Sequence, residues 1–382
     1  MKINWKTIIT GITIISGLLS YLIFENWMIC LLIASVILLL LFLIIKKKRK
    51  EKKKISMKRF VDENGIFDVH VPSTWKYSLK NEKVHTFQEY EIWKHDAFQI
   101  SIQPHNEEAN KRFQQICKGL ESTEINGTLF YQYPESGGDG FTTKSWTNLI
   151  NDRVVLFTFT HSISPDEELD PKSIEEKLNE VKEIITSFKL IPTEDSEATL
   201  NSYRFEMFLK GVGATSYMLN KAVGNQAFIE ATCLLASQID GLLRTGIVLQ
   251  NQINNNNSEI EKEWIYQGLT DRKKSEKDVY KKAKELGIIN KDIFDELYKL
   301  YDDRNRVIHR FVISEITLAE VENISYTYYQ MQQKINAIVY KIESKQIELG
   351  VGMTRSGTAD DTEHIEYIKG KIGKQNYFEE KE

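Results

Sequence analysis

Arg304, Asn305 and His309 stand together in the run Leu300-Tyr301-Asp302-Asp303-Arg304-Asn305-Arg306-Val307-Ile308-His309-Arg310-Phe311. Read as a helix at about 100° per residue from Arg304, Ile293 and Phe311 fall at about -20°, Leu297 at about 20°, Leu300 at about -40° and Ile308 at about 40°. Arg304 is therefore centred on the apolar stripe. A guanidinium there keeps its proton and is costly to bury alone, so it requires acceptors, a partner subunit or an open cleft. Asn305 and His309, at about 100° and 140°, lie on the adjoining ridge, and all three can point into one groove. His309 is also the only histidine between residues 162 and 363. No other imidazole in that half can act as general acid or base. The plain alternative has Arg304 bridged to Asp240 or Glu230 on a neighbouring helix, with His309 a surface residue at a helix end.

Other candidates surround this trio. Glu230, Ser237 and Asp240 are polar residues in an otherwise apolar stretch, spaced to face the Arg304 helix and support its side chains. Arg272, Lys273, Lys274 and Lys277 begin a basic run suited to a nucleic-acid backbone, although interleaved Glu276, Asp278 and Glu285 also fit a solvated helix face. His70, His85, His95 and His105 lack metal-ligand spacing, and Cys30, Cys117 and Cys233 are far apart. Neither a metal site nor a disulfide framework is expected. Without a glycine-rich phosphate loop, no nucleotide cofactor is expected either.

The elements that must position these residues change character along the chain. All six prolines lie between Pro72 and Pro192. Before that boundary, alternation predicts strands at 67–71, 86–94, 98–103, 129–133, 142–149, 154–160 and 188–191, interrupted by helices at 110–120 and 173–186. This predicts an α+β sandwich over 60–192. After Ser196 the period turns helical, with segments near 198–223, 226–252, 276–286, 291–311 and 318–347, which make an all-α bundle over 196–349. The polar stretch 350–382 reads as a flexible tail.

The N-terminal region has a third character. From Thr7 to Phe24 and from Met28 to Ile45 there is no charged residue; each run is about 27 Å long as a helix, close to one hydrocarbon core. Only Glu25, Asn26 and Trp27 separate them, so residues 1–48 predict an antiparallel transmembrane hairpin. Lys2, Lys6 and the basic segment 49–59 flank it, which by the positive-inside rule puts both termini in the cytoplasm. Residues 1–59 hold twelve Lys or Arg against Glu25 and Glu51, while the whole chain carries a net charge of -4. A basic collar, suited to anionic lipid, thus precedes an acidic body, which argues against global attraction to nucleic acid.

Two resemblances follow from these residues. The opening Phe67-Asp68-Val69-His70-Val71-Pro72-Ser73-Thr74-Trp75, with the closing Ser187-Phe188-Lys189, resembles the PsbP-like sandwich family, which implies a binding or docking module without a shared catalytic set. The Arg304-Asn305-x3-His309 run, in a bundle of this size, resembles the HEPN superfamily. That resemblance implies a homodimer and a metal-independent endoribonuclease. His309 would be the general acid or base for attack of a ribose 2′-hydroxyl, Arg304 would stabilise the phosphate, and Asn305 would orient His309 or bond the phosphate. The expected whole is a multidomain bacterial inner-membrane protein: a toxin or antiviral defence effector with an unknown protein trigger or inhibitor. The rival expectation is a membrane adaptor that dimerises through its bundle. An enzyme should open Arg304 and His309 to a basic cleft, and an adaptor should bury Arg304 against an acid.

Overall fold

The computed structural model describes residues 56–81, 83–89, 96–104, 106–138, 140–162, 171–268, 271 and 273–354. The two predicted spans, His95, His105, Arg272 and most of the expected tail lie outside the described residues. Among those described, residues 228–255 form a helix long and apolar enough to cross a bilayer, but its most apolar window is largely buried within the protein. It is a core helix.

The α+β half contains strands β1 (Met57–Val61), β2 (Phe67–Pro72), β3 (Trp75–Lys80), β4 (Val84–Glu89), β5 (Ala97–Ile102), β6 (Glu121–Ile125), β7 (Thr128–Gln132), β8 (Ser136–Gly138), β9 (Phe141–Ile150), β10 (Arg153–Ser162) and β11 (Lys189–Leu190), with helices α1 (Glu107–Cys117) and α2 (Pro171–Ser187). A small sheet runs β1-β2-β11 and a larger one runs β3-β4-β5-β10-β9-β7-β6, with β8 on β9. All pairings are antiparallel. The alternation at Phe67, Val69 and Val71 places all three fully inside, against Trp75, Phe98, Phe157 and the α2 residues Val181, Ile184 and Ile185. Two-sheet packing closed by α2 therefore holds one core.

Several strands differ from expectation. β1 begins at Met57, inside the segment read as a basic juxtamembrane collar, because Val61 is buried and the strand registers on β2 from Met57↔Pro72 to Val61↔Asp68. β3, β6 and β8 were not expected: Glu121-Ser-Thr-Glu-Ile125 and Ser136-Gly-Gly138 carry mostly polar or small residues, and Trp75-Lys-Tyr-Ser-Leu-Lys80, although it alternates, follows directly on the Pro72-Ser73-Thr74 turn and buries only Trp75 fully. Their neighbours define them. Asn126 and Gly127, both at positive φ, form a two-residue turn joining β6 to β7, and Asn151 and Asp152 do the same between β9 and β10.

The second half contains α3 (Ser196–Gly224), α4 (Phe228–Asn255), the short α5 (Lys262–Ile265), α6 (Glu276–Glu285), α7 (Lys291–Arg310) and α8 (Leu318–Leu349). α4 is the axle. It supplies Leu235, Ile239, Leu243 and Ile247, each nearly or fully inaccessible, to a core shared with Val279 and Tyr280 of α6, Leu297 and Leu300 of α7, and Tyr328, Met331 and Ile335 of α8. Asn256 closes α4 in the left-handed region at φ 51°, inside the polar loop expected from Asn254 to Ser258. α5 was not expected; four residues are too few for a periodic signal.

The bundle ends later than expected. Gly350 caps α8 at φ 64°, and the chain then folds back. Gln346, fully buried, donates to the Leu249 carbonyl and to Gln252 Oε1, both at 2.9 Å, and its own Oε1 accepts from Thr354 N at 3.1 Å and Thr354 Oγ1 at 2.8 Å. Residues 350–354 thus belong to the bundle, because their polar groups complete a buried amide that would otherwise be costly.

Candidate functional site

Local signals fix the two helices that carry the candidate site. Asn290 caps α7, its Oδ1 accepting from Ile293 N at 2.9 Å. Ser275 opens α6 through a capping box with Asp278, which makes Glu276 the first residue of that helix. On α7, Leu297, Leu300 and Val307 are buried as the stripe requires. Tyr328 of α8 donates to the Leu300 carbonyl at 2.6 Å, anchoring α7 one turn before Arg304.

Arg304 sits on that stripe with its side chain 16% exposed, and its ion-pair partner is Glu276 of α6. Neither Asp240 nor Glu230, the acids expected from spacing, makes this contact. Arg304 Nη2 donates to Asn305 Oδ1 at 3.0 Å, and the guanidinium carbon lies 4.9 Å from the centre of the Tyr301 ring. Its Nε is buried and bonded to nothing. Burial opposes the charge on Arg304, but the Glu276 carboxylate outweighs it and the guanidinium holds its proton more firmly than usual.

Glu276 is itself held from behind. Its second oxygen accepts from Tyr280 OH at 3.2 Å, and Tyr280 is 1% exposed. Burial first, and Glu276 next, push the Tyr280 phenol far above its ordinary range, so it remains a donor. Cys233 of α4 lies near enough to feel Arg304; burial raises its thiol and the guanidinium pulls the other way.

His309 is exposed, on the last turn of α7. Ile308, expected on the buried stripe, is 40% exposed, and its neighbour Val307 takes the buried position, packed with Ile316 and Val321. Asn305 faces Arg304, so its carbonyl oxygen orients the guanidinium and not His309.

The remaining candidates are dispersed. Glu230 and Ser237 are exposed, and Ser237 donates to the Cys233 carbonyl at 3.0 Å. Asp240 binds Arg244 Nε at 2.7 Å. Arg244 is the feature that spacing missed: it is 9% exposed and also donates to the carbonyls of Trp264 and Lys274, each at 3.0 Å. It staples α4 to α5 and to the segment that leads into α6. In the basic run, Lys273 is exposed, Lys274 pairs with Glu263 at 3.3 Å, and Lys277 lies 4.4 Å from the Tyr301 ring centre and 3.9 Å from Asp302. Two of these cations thus have partners within the chain. Among the described residues no group of His, Cys, Asp and Glu is placed to hold a metal ion.

No family model and no curated protein matches the chain. Among solved structures, a protein from Bacteroides thetaiotaomicron VPI-5482, crystallised and determined at 1.50 Å, is similar with a TM-score of 0.29 and 15% identity. The similarity covers 41% of this chain and 61% of that one.

Proposed function

We propose that the protein is a membrane-anchored, HEPN-like effector whose helical bundle pairs with a second copy and cleaves RNA without a metal. The observation that carries this reading is the outward ridge of α7, where Asn305 joins Arg304 and His309 stands in solvent one turn further on. Imidazole is suited to moving the 2′-hydroxyl proton near neutral pH, and Arg304 supplies a fork of donors for the phosphate. Beyond the ridge, Val312, Ile313 and Leu318 are 93%, 81% and 64% exposed. Open apolar surface of this kind suits a protein contact. Arg306, His309 and Arg310 precede this turn in sequence and Glu315 and Glu322 follow it, so the tip offers both signs of charge to a second copy. The PsbP-like sandwich then acts as the docking or sensing part, and the N-terminal hairpin as an anchor in the bacterial inner membrane.

Substrate discrimination tests the chemistry. The full-length chain should cleave a single-stranded oligoribonucleotide and leave its all-deoxy counterpart intact, since the nucleophile is the 2′-hydroxyl. Equal cleavage of both would exclude this mechanism.

A second reading is a non-enzymatic adaptor. The ion pair between Arg304 and Glu276 favours it, because that is how a purely structural arginine would be accommodated. Under that reading the bundle only dimerises, and neither oligonucleotide is cut.

A further inference from the structure

We infer that Glu276 is an internal latch on Arg304, which a substrate phosphate must displace before the site can act; this inference rests on the ribonuclease reading. Three observations converge on it. First, both terminal nitrogens of Arg304 are already engaged within the chain, Nη1 by Glu276 and Nη2 by Asn305, while Nε is buried and bonded to nothing. In this state the carboxylate neutralises the guanidinium, so an incoming phosphate must compete with Glu276 for charge-assisted donors. Second, the carboxylate that holds it is anchored through its other oxygen by the buried Tyr280 hydroxyl at 3.2 Å. Third, the pair is at the edge of the fold. Arg304 and Glu276 keep 16% and 21% of their side-chain surface exposed, so an anion in solvent can approach the pair.

A carboxylate and a phosphate diester both accept from a guanidinium, so they compete for the same donors. The unpaired Nε means that the closed state does not satisfy Arg304 completely. A bidentate phosphate would satisfy it better. Glu276 therefore sets a threshold: isolated anions leave the latch shut, and a strand held also by neighbouring groups opens it.

The test uses the full-length chain in mild detergent and two single-stranded oligoribonucleotides: one 2′-O-methylated, which can bind but not be cut, and one unmodified. Glu276→Gln should bind the methylated strand about tenfold more tightly than the parent, the effect of removing one charge-assisted competitor. The gain should vanish in the Glu276→Gln/Arg304→Ala double variant. Glu285→Gln, an exposed acid on the same helix, serves as the control for a simple change of charge. If Glu276→Gln binds no more tightly, if Glu285→Gln gains as much, or if the gain survives loss of Arg304, the latch is overturned. Should Glu276→Gln fail to fold, Glu276→Asp, which withdraws the carboxylate by one methylene, is held to the same outcomes. The unmodified strand reports separately on the enzyme. A tighter, Arg304-dependent complex with no cleavage by any variant removes the ribonuclease reading and leaves the anion gate. Cleavage that needs His309, with no gain in binding, does the reverse.

Discussion

Arg304 and Glu276 are each less than a quarter exposed, so removing one strands the other near a low-dielectric interior. A double-mutant cycle with Arg304→Ala and Glu276→Ala should give a coupling energy of about 2 kcal/mol in denaturant unfolding. Values near zero would mean that the pair is a solvated surface contact. His85 makes a second prediction in the sandwich. Burial holds its imidazole below the ordinary value, against the opposing pull of Asp62, whose Oδ1 lies 3.6 Å from Nδ1. Tyr77, pushed up to about 12, keeps its proton, and its hydroxyl is hydrogen-bonded with Nδ1 at 3.1 Å. As pH falls through about 6.5, the unfolded chain protonates this histidine before the folded one does, so stability declines with acid. His85→Gln should flatten the dependence of the urea midpoint between about pH 7 and pH 5; an unchanged slope would assign it to other groups. The position of Arg304 on the apolar stripe was legible in the sequence because helical periodicity reports which residues share a face. Its partner was not. Glu276 belongs to another helix, 28 residues away, and only the packing of α6 on α7 selects it over Asp240 and Glu230.

Helix ends are fixed where a side chain caps the backbone. Thr317 caps α8, accepting from Glu320 N at 3.2 Å while Glu320 bonds back to Thr317 N at 2.7 Å. Thr317→Ala should cost about 1 kcal/mol of stability, measured by urea unfolding; no loss would show that packing alone holds the start of α8. The strands were legible where apolar residues alternate, as in β2 and β10, and hidden where burial is supplied by neighbours, as in β6. The Asn126-Gly127 turn was the one local sign of that hairpin. The turn between α7 and α8 carries its own prediction. Val312→Asp combined with Ile313→Asp removes apolar surface that is 93% and 81% exposed among the described residues, so the fold should persist and, if the bundle pairs through this tip as proposed, the sedimenting mass should fall from dimer to monomer. A dimer that survives both charges would place its interface elsewhere.

At the scale of the molecule, the change from strands to helices near residue 192 was readable from proline usage and the change of period. The joints between the halves were not, because they depend on single contacts. Arg59 of β1 reaches both Asp68, with Nη2 at 2.8 Å, and Glu206 of α3, with Nη1 at 3.3 Å. Ser196 Oγ donates to the Gly65 carbonyl at 2.9 Å, and Gly65 holds φ 66° where a Cβ would meet the Ser196 carbonyl oxygen at 2.7 Å. Glycine is required at that joint. These ties would let an event at the sandwich reach the helix that flanks α4, which is how a docking module would control an effector. The most direct measurement is cleavage of mixed cellular RNA in chelator by the full-length chain, compared with His309→Ala and Arg304→Ala. His309 is exposed, so its removal should leave stability within about 0.5 kcal/mol and serve as a clean probe of chemistry. The account predicts fragments ending in 2′,3′-cyclic phosphate from the parent chain and none from either variant. Fragments of the same kind and amount from His309→Ala, or none from the parent chain, would contradict it.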